Sequence, residues 1–514
     1  MATYSSNLNN VTRWRGEFAK AMADLKGDSQ PQQWSDVFVP IGHLKALHPQ
    51  IMLVEGMRGA GKSFWTKVLS DSSLRQNLAI SSTTEGWLQS ELERISECKA
   101  ILWDATGADD HLSRPDPLTV KNWLATSGFE PKIFWQLVVL MRFPVDPGLG
   151  LPGADPFDPW RCRMQWAQAN PARLHAALQL LDSALNAKGA MALVVIDGLD
   201  RVSSRFADTQ KLMRGLFELL LDFRYAKGLR FKVFVREDIL THAATTVSDA
   251  SKLMNERVSL DWSQQDLFGL AFHYLAQNSS SFRARHTNVT KVAWKQVRSR
   301  WESPSLLDAS SQEQFWIWLA GSFMGSAPTK GHTYTWIGKH LADGKGRISP
   351  RTFLSAIKES LAESVKSHSN YAHILHHEAI RQGVRVASEH RVQELDNEYR
   401  WVRSAIQTIK TANKTVPMDW STLKILWQSS TPGVISQIES KHLADNALIP
   451  WDESVGIDEK IIALRDTMQN IGVLQVRPLS GKERIDLPDI YRLAYKIGRA
   501  GGIAVTKKNR PVNQ

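Results

Sequence analysis

The feature that most constrains this chain is a glycine-rich segment between a short apolar run and a helical pattern. The apolar run is Ile51-Met52-Leu53-Val54, and residues 56–63 read Gly-Met-Arg-Gly-Ala-Gly-Lys-Ser. This spacing is the complete G-x-x-x-x-G-K-S phosphate-binding motif, in the strand-to-helix context that the motif requires. Its glycines let backbone N–H groups converge on a β-phosphate, and the following helix N-terminus adds positive potential. The segment therefore predicts an α/β fold that binds a nucleoside triphosphate.

The loop and the residue after it form the predicted nucleotide-binding set. We expect the Lys62 ammonium to contact the β- and γ-phosphates and the Ser63 hydroxyl to complete the coordination shell of Mg²⁺. The predicted ligands are therefore ATP and Mg²⁺, and the phosphate loop (Walker A) is their main binding element. The full predicted set is Gly56, Met57, Arg58, Gly59, Ala60, Gly61, Lys62, Ser63 and Phe64.

A second apolar run, residues 191–196, ends in Asp197 and has the form of a Walker B strand. A carboxylate at the carboxyl end of a parallel strand emerges beside the phosphate loop, so we expect Asp197 to hold Mg²⁺ through water. The alternative is a buried strand that ends in a turn aspartate. Asp200, three residues later, is the nearest acid that could activate water, so hydrolysis is an expectation and not a consequence of the motif alone.

The apolar run at residues 231–235 leads into a polar triplet, Arg236-Glu237-Asp238. Side chains that follow a parallel strand lie at the edge of the sheet where ligands bind. Arg236 is therefore a candidate for contacting the γ-phosphate. The alternative is that Arg236 only forms an ion pair with Asp238 or Glu237.

The order of patterns along the 514 residues predicts a core followed by two further parts, which agrees with about three domains for this length. Four apolar runs alternate with helical stretches, as in a buried parallel sheet. No further strand is expected after about residue 260 until the C-terminus, where three helices precede two short strands in the order of a winged helix. The predicted parts are a polar lead-in (1–45), the core (46–262), a helical lid (263–415) and the winged helix with a basic tail (416–514). The core contains a Pro/Gly/Asp-rich surface insertion (143–160), and the helices of the lid include 312–325 and 372–409.

Three motifs together resemble the STAND and KAP-like branch of P-loop ATPases, which is related to AAA+ proteins. They are R-G-x-G-K-S from Arg58, D-x-x-D-R from Asp197 and R-x-D-I from Arg236. The resemblance implies a bacterial ATPase core followed by a helical lid and a C-terminal winged helix. AAA+ ATPases usually carry a glutamate directly after the Walker B aspartate, but Gly198 stands at that position here. The resemblance therefore implies an ATPase whose catalytic base must come from elsewhere.

The same resemblance extends to Ser349-Pro350-Arg351, which is similar to the Pro-Arg at the start of a lid helix. In this type of protein Arg351 would be the sensor 2 residue that contacts the γ-phosphate and reports nucleotide state to the lid. The alternative is an exposed arginine in the first turn of a helix. Catalytic roles are therefore predicted for Asp200, Arg236 and Arg351.

The charge of the chain favours an anionic partner. The formal net charge is +11, and residues 482–514 contain eight Lys or Arg and three acids, a net charge of +5. A basic winged helix could neutralise nucleic-acid phosphates, but a solvated tail or a protein-docking wing is the alternative. The chain has no signal-peptide pattern and no apolar run of 18 residues, so we expect a cytoplasmic protein without a membrane span.

Two functions follow from these patterns. The first is an ATP-binding switch whose nucleotide state moves the lid and the winged helix to regulate a protein partner, with bacterial signalling or phage defence implied by the resemblance. The partner could be encoded nearby, and the protein could form homo-oligomers. The second is a DNA-binding ATPase, a loader or remodeller that uses the basic C-terminus. A nucleotide kinase is a weaker third alternative.

Overall fold

The computed structural model describes most of the chain. The described residues are 2–23, 30–81, 83–103, 114–126, 128–153, 155, 158–202, 206–244, 247–442, 451, 455–479 and 482–500. Side chains are described for the same residues except 2–8, 200, 206, 241–244, 442 and 479. The predicted wing turn at Ser480 and Gly481 and the terminal basic residues Lys507, Lys508 and Arg510 lie outside the described residues.

Tertiary packing divides the chain into two compact units. The first comprises Met1–Gly338 and Ile348–Gly383, and the second comprises Lys339–Arg347 and Val384–Gln514. The first unit thus includes all residues up to 338, together with residues 348–383. The domain limits drawn from the sequence at residues 45, 262 and 415 stay predictions, because compact units need not coincide with the segments that move as domains.

The secondary structure alternates between helices and strands in the first half and is mainly helical afterwards. The strands are β1 (Leu53–Glu55), β2 (Ile95–Leu102), β3 (Met191–Asp197), β4 (Leu229–Val235), β5 (Val258–Ser259), β6 (Lys295–Val297), β7 (Arg300–Glu302), β8 (Met418–Asp419), β9 (Gln475–Leu479) and β10 (Lys482–Asp486). The helices are α1 (Ala2–Ala23), α2 (Leu44–Leu47), α3 (Lys62–Ser70), α4 (Ser72–Ala79), α5 (Gly86–Glu93), α6 (Pro117–Leu124), α7 (Pro131–Leu140), α8 (Arg161–Ala169), α9 (Pro171–Ala187), α10 (Phe206–Asp222), α11 (Glu237–Ala244), α12 (Ala250–Met254), α13 (Gln264–Asn278), α14 (Ser280–Thr290), α15 (Ala309–Ala320), α16 (Thr333–Leu341), α17 (Pro350–Ser367), α18 (His377–Glu398), α19 (Arg400–Thr411), α20 (Trp420–Ser429), α21 (Val434–His442), α22 (Ile457–Asn470) and α23 (Asp489–Tyr495).

A parallel sheet of five strands forms the centre of the first unit, in the order β2-β3-β4-β1-β5. All seven residues of β3 are buried. Met191, Leu193 and Val195 pack into the core on one face of the sheet, and the residues between them pack into the core on the other face. Burial on both faces explains why this strand reads as a continuous apolar run and does not alternate with polar residues.

One lysine is buried within this sheet. Lys232, in β4, is fully buried, and its Nζ donates hydrogen bonds to the carbonyl oxygens of Ala46 (2.6 Å), His48 (3.0 Å) and Ile51 (2.8 Å). Burial lowers the pKa of this amine to about 7. The three carbonyl acceptors compensate for the burial, and they fix the segment that leads into β1 and the phosphate loop.

Replacing Lys232 with methionine is expected to destabilise the protein by about 3 kcal/mol, because it removes the shared donor of three hydrogen bonds to carbonyl oxygens at a buried position. Methionine is similar in length and apolar, so the loss of hydrogen bonds dominates over any loss of packing. Denaturant unfolding measures the effect, and Lys227→Met, at an exposed position, is the control. Equal stability of the two variants would contradict the role given to Lys232.

The region after the sheet is helical, as predicted, but three details differ. The expectation of no strand between residue 260 and the C-terminus is wrong, because β6 and β7 form an antiparallel hairpin. Each of its strands has three residues, too few for an alternating pattern to be recognised. The predicted helix 312–325 ends at Ala320, where Gly321 has a φ of +76°. The predicted helix 372–409 is two helices, α18 and α19, separated at Tyr399 (φ −128°, ψ 68°).

In the segment at residues 143–160, the described residues (143–153, 155 and 158–160) have the predicted lack of regular structure apart from a 3₁₀ turn at Pro147–Leu149. Its two ends are not at the surface, however. Phe143 and Trp160 are buried and belong to the same core cluster as one face of β3. The segment is therefore anchored at both ends by large aromatic side chains.

The second unit contains the winged helix. The helices α20, α21 and α22 precede the antiparallel pair β9 and β10, and β8 adds a third strand in the order β8-β10-β9. The sequence did not reveal β8 because it has only two residues. The predicted fold class is confirmed: an α/β P-loop nucleotide-binding fold with a parallel sheet, followed by helices and a C-terminal winged helix. Within the described residues, none of the helices has both the length and the apolar character needed to cross a membrane.

Candidate nucleotide-binding site

The predicted phosphate loop joins β1 to α3 at the carboxyl edge of the sheet. Gly59 and Gly61 have φ values of +76° and +103°, in the left-handed region where glycine is favoured. The loop is fixed by a hydrogen bond from the Gly56 N–H to the Val235 carbonyl oxygen in β4 (3.1 Å), and by one from the Ala60 N–H to the Met57 carbonyl oxygen (3.2 Å). The glycines of the motif thus shape a tight turn that ends at the first residue of a helix.

The Lys62 side chain folds back over this turn. Its Nζ donates to the carbonyl oxygens of Gly56 (2.8 Å) and Met57 (3.0 Å). Ser63 is exposed in the first turn of α3, while Arg58 and Phe64 are half-buried. The Lys62 ammonium group thus lies against the loop, and Ser63 follows it in the first turn of α3, as the motif requires.

Two tryptophans and a histidine pack beside the loop. The Trp262 Nε1–H donates to the Ala60 carbonyl oxygen (2.9 Å), and the Trp65 Nε1–H donates to Nδ1 of His43 (3.1 Å). Because Nδ1 accepts this bond, Nε2 of His43 carries the proton and donates to the Asp261 carbonyl oxygen (3.0 Å). Burial lowers the pKa of His43 to about 4, which keeps the ring neutral. Sequence reasoning missed this support, since no motif marks a tryptophan 202 residues from its acceptor.

Asp197 is the last residue of β3 and is buried. Its Oδ1 accepts a hydrogen bond from the Gly198 N–H (2.9 Å). Gly198 has a φ of +82°, and a Cβ atom at this position would lie 2.8 Å from the Trp103 carbonyl oxygen. A glutamate directly after Asp197 is therefore incompatible with this backbone. The departure from the usual Walker B sequence has a steric cause.

Replacing Gly198 with alanine is expected to destabilise the protein by about 3 kcal/mol, from the left-handed conformation and the close approach to a backbone carbonyl together. Gly189→Ala is the matched control. Gly189 also has a positive φ, +65°, but nothing lies within 4 Å of its Cβ position, so we expect a cost of only about 1 kcal/mol. Thermal or denaturant unfolding measures both. Equal destabilisation would show that the clash with Trp103 is relieved at no cost.

The other two predicted catalytic residues near the strand ends are placed differently. Asp200 lies in a 3₁₀ turn, Leu199–Arg201, and its side chain is outside the described residues. Arg236 follows β4 and is buried, with its Nε and Nη2 donating to the two carboxylate oxygens of Asp238 (3.1 and 2.6 Å). The ion pair considered as an alternative is thus present. Arg236 also lies next to the loop, since the preceding Val235 accepts the Gly56 N–H.

Arg351 is brought to the phosphate loop by tertiary structure. The Ser349 Oγ donates to the Gly59 carbonyl oxygen (3.4 Å), across 290 residues of sequence. A Cβ atom on Gly59 would lie 2.4 Å from Ser349 Oγ and 3.5 Å from the Cβ of Arg351. The first turn of α17 therefore packs directly on the loop. A larger residue than glycine at position 59 would separate the two.

Sequence reasoning missed Glu55, the last residue of β1. Its carboxylate is largely buried and lies 3.3 Å from Nε of Arg257. Burial raises the pKa of Glu55, Arg257 opposes that rise, and the nearby Glu237 adds to it. The only sequence signal was an acid between an apolar run and the first glycine. The ends of β1 and β3 and the start of α11 thus place three carboxylates, Glu55, Asp197 and Glu237, at one edge of the sheet.

Comparison with known proteins gives similarity to solved structures only: no protein-family model and no curated protein matches the chain. The ORC2 protein of Aeropyrum pernix in its ADPNP-ADP complexes is 11% identical, with a TM-score of 0.40 and coverage of 91% of this chain and 94% of that chain. Its ADP form is 11% identical, with a TM-score of 0.31 and coverage of 93% and 95%. Cdc6p from Pyrobaculum aerophilum is 10% identical, with a TM-score of 0.26 and coverage of 87% of both chains. Similarity at this level assigns neither a family nor an activity to the chain.

Proposed function

We propose that this protein binds ATP with Mg²⁺, hydrolyses it and acts as a nucleotide-dependent switch. The observation that carries the proposal is the packing of the first turn of α17 on the phosphate loop, with Ser349 hydrogen-bonded to Gly59 and Arg351 beside it. A helix that touches the loop directly responds to whatever the loop binds. Nucleotide binding and the position of the lid are therefore coupled at a single point.

The residues present fit ATP and Mg²⁺. The left-handed glycines give the loop the tight turn in which backbone N–H groups can converge on phosphates, and Ser63 and Asp197 supply the oxygen ligands that Mg²⁺ prefers. When bound, Mg²⁺ would neutralise charge on the phosphates. Lys62 exchanges its two carbonyl acceptors for phosphate oxygens, and Arg351 adds a second positive charge from the lid side. Asp200 or Glu55 removes a proton from the attacking water, since Gly198 cannot do so.

The proposal extends to the STAND and KAP-like type of AAA+-related ATPase, a cytoplasmic switch in bacterial signalling or phage defence that regulates a protein partner and can form homo-oligomers. Its support is the order of motifs at Arg58, Asp197 and Arg236, together with the parallel sheet, the helices after it and the winged helix. In this arrangement Arg236 exchanges part of its ion pair with Asp238 for the γ-phosphate.

The second candidate, a DNA-binding ATPase that uses its basic winged helix, is not favoured by the charges of that region. Arg484 pairs with Asp419 (3.1 Å), and Arg492 pairs with Asp489 (2.8 Å). Arg499 lies 3.0 Å from Asp486 and Asp489. Most of the positive charge described in this region is therefore neutralised by neighbouring carboxylates and does not form a surface for phosphates.

Replacing Arg351 with alanine tests the coupling. We expect ATP affinity to remain within about threefold of wild type and the rate of hydrolysis to fall about 100-fold, because a positive group that stabilises transition-state charge is lost. Lys366→Ala, at an exposed position near the end of the same helix, is the control. Calorimetric titration with ATP and phosphate release measure the two quantities. Hydrolysis at the wild-type rate in Arg351→Ala would refute the coupling.

A further inference from the structure

A second concentration of positive charge lies far from the C-terminus in sequence. Residues 283–302 contain six Lys or Arg and one acid, a net charge of +5 within 20 residues. This equals the excess of residues 482–514 in a shorter segment. The segment includes the end of α14 and the antiparallel pair β6 and β7. We call Lys291–Glu302 the basic hairpin.

The cationic side chains of the basic hairpin are exposed, from its start to its turn. Lys291, Lys295 and Arg298 are all exposed, as are the remaining residues of β6. Val297, next to the turn, is 42% exposed. Lys291 and Arg298 have φ values of +62° and +53°, which direct the chain sharply at the start of the hairpin and at its turn. Lys295 thus lies at the start of β6 and Arg298 at the turn of the ribbon, while Lys291 lies at the end of α14, just before the ribbon.

These three cations have no carboxylate partner among the described residues, unlike the arginines of the winged helix. The single acid of the hairpin, Glu302, accepts hydrogen bonds from Arg300 at 2.9 and 2.5 Å, and Arg300 is buried. Arg298 donates to the neutral side-chain oxygen of Asn77 (3.2 Å). Glu302 lies directly opposite Lys295 in the strand register but is bonded to Arg300, so none of the three exposed cations forms an ion pair among the described residues.

The base of the basic hairpin is rigid. The Trp301 N–H donates to Oε1 of Gln277 (2.9 Å), and Nε2 of Gln277 donates to the Trp301 carbonyl oxygen (2.8 Å). The Arg283 guanidinium lies 4.1 Å from the centre of the Trp301 ring, and Arg300 lies 4.4 Å from that of Trp34. A fixed base lets the tip bind a partner without the entropic cost of ordering a flexible loop.

We propose that the basic hairpin binds the phosphate backbone of double-stranded DNA. A protein partner would need an apolar centre to its interface, and Val297 alone does not supply one. Duplex DNA instead offers one negative charge per about 1.7 Å of helix axis, and its major groove admits a two-stranded ribbon. The major groove of duplex RNA is deep and narrow and does not admit such a ribbon. This binding surface is independent of the proposed nucleotide switch and of the winged helix.

The test is binding of the full chain, without nucleotide, to a fluorescent DNA duplex of about 20 base pairs. The variant Lys291→Asn, Lys295→Gln, Arg298→Asn removes the three charges, and asparagine tolerates the left-handed positions. We expect affinity at least about tenfold weaker, and a log–log slope of affinity against salt that is shallower by about 2.7, because each of three phosphates no longer neutralised accounts for about 0.9. The matched control, Lys188→Gln, Lys211→Gln, Lys227→Gln, removes three exposed charges elsewhere in the same unit and should bind as wild type does.

Four results would overturn the proposal. The first three are no measurable DNA binding by wild type, an equal loss of DNA affinity in the control variant, and tighter binding to duplex RNA than to DNA. The fourth is a loss of DNA affinity in the double variant Arg477→Gln, Lys482→Gln with no loss in the hairpin variant, which would place the site on the wing. Unchanged ATP binding and an unchanged melting temperature in the hairpin variant show that it is folded. These readouts also separate failure here from failure of the proposed switch.

Discussion

Replacing Lys62 with alanine is expected to weaken ATP binding by at least about 100-fold. The ammonium group now donates two hydrogen bonds to loop carbonyls, at 2.8 and 3.0 Å, so it lies within the turn that the phosphates would contact. Charge-assisted hydrogen bonds of this kind contribute about 1.5–3 kcal/mol each, and two of them account for the expected loss. Calorimetric titration with ATP measures it.

The matched control is Lys67→Ala, one turn later in α3. Lys67 pairs with Asp71 at 3.4 Å near the helix surface, so its removal takes one positive charge from the same helix without touching the loop. We expect wild-type affinity in this control. A second measure is the rise in melting temperature on adding ATP, which depends on the ratio of ligand concentration to Kd and should disappear in Lys62→Ala only. Undiminished ATP affinity in Lys62→Ala would remove the basis of the proposed function.

The parts of the site that could be predicted from the sequence are those built from contiguous residues. The phosphate loop, its helix and the strand that ends in Asp197 are local patterns, and β3 could be recognised because burial on both faces leaves it uniformly apolar. The winged helix was recognised in the same way, from the order of three helices and two strands.

The parts that could not be predicted depend on tertiary structure. The Ser349–Gly59 hydrogen bond spans 290 residues and the Trp262–Ala60 hydrogen bond 202, and neither has a spacing that a pattern could reveal. Arg351 was expected at the site only through a resemblance. The role of Gly198 also depends on the folded chain, because the nearby Trp103 carbonyl oxygen decides that no side chain fits. The sequence drew attention to the C-terminal charge, whereas the structure pairs much of that charge and leaves the basic hairpin exposed.

The second large effect is expected for Asp197→Asn, which should reduce ATP hydrolysis at least about 100-fold. Asparagine has nearly the same shape and keeps an oxygen to accept the Gly198 N–H, now at 2.9 Å, so the backbone at the end of β3 is preserved. The substitution removes the negative charge that would hold Mg²⁺. ATP affinity should consequently become independent of Mg²⁺, while the affinity for ATP alone changes little.

Asp249→Asn is the matched control, because it removes one exposed carboxylate from the same unit at a position with a φ of +65°, which asparagine tolerates. Comparison of ATP titrations with Mg²⁺ and with EDTA then isolates the metal from the nucleotide. If Asp197→Asn keeps both its hydrolysis rate and its Mg²⁺ dependence, the metal ligand must be another acid at the sheet edge. Glu55 is then the residue to replace, because its carboxylate is largely buried at the end of β1, directly before the loop.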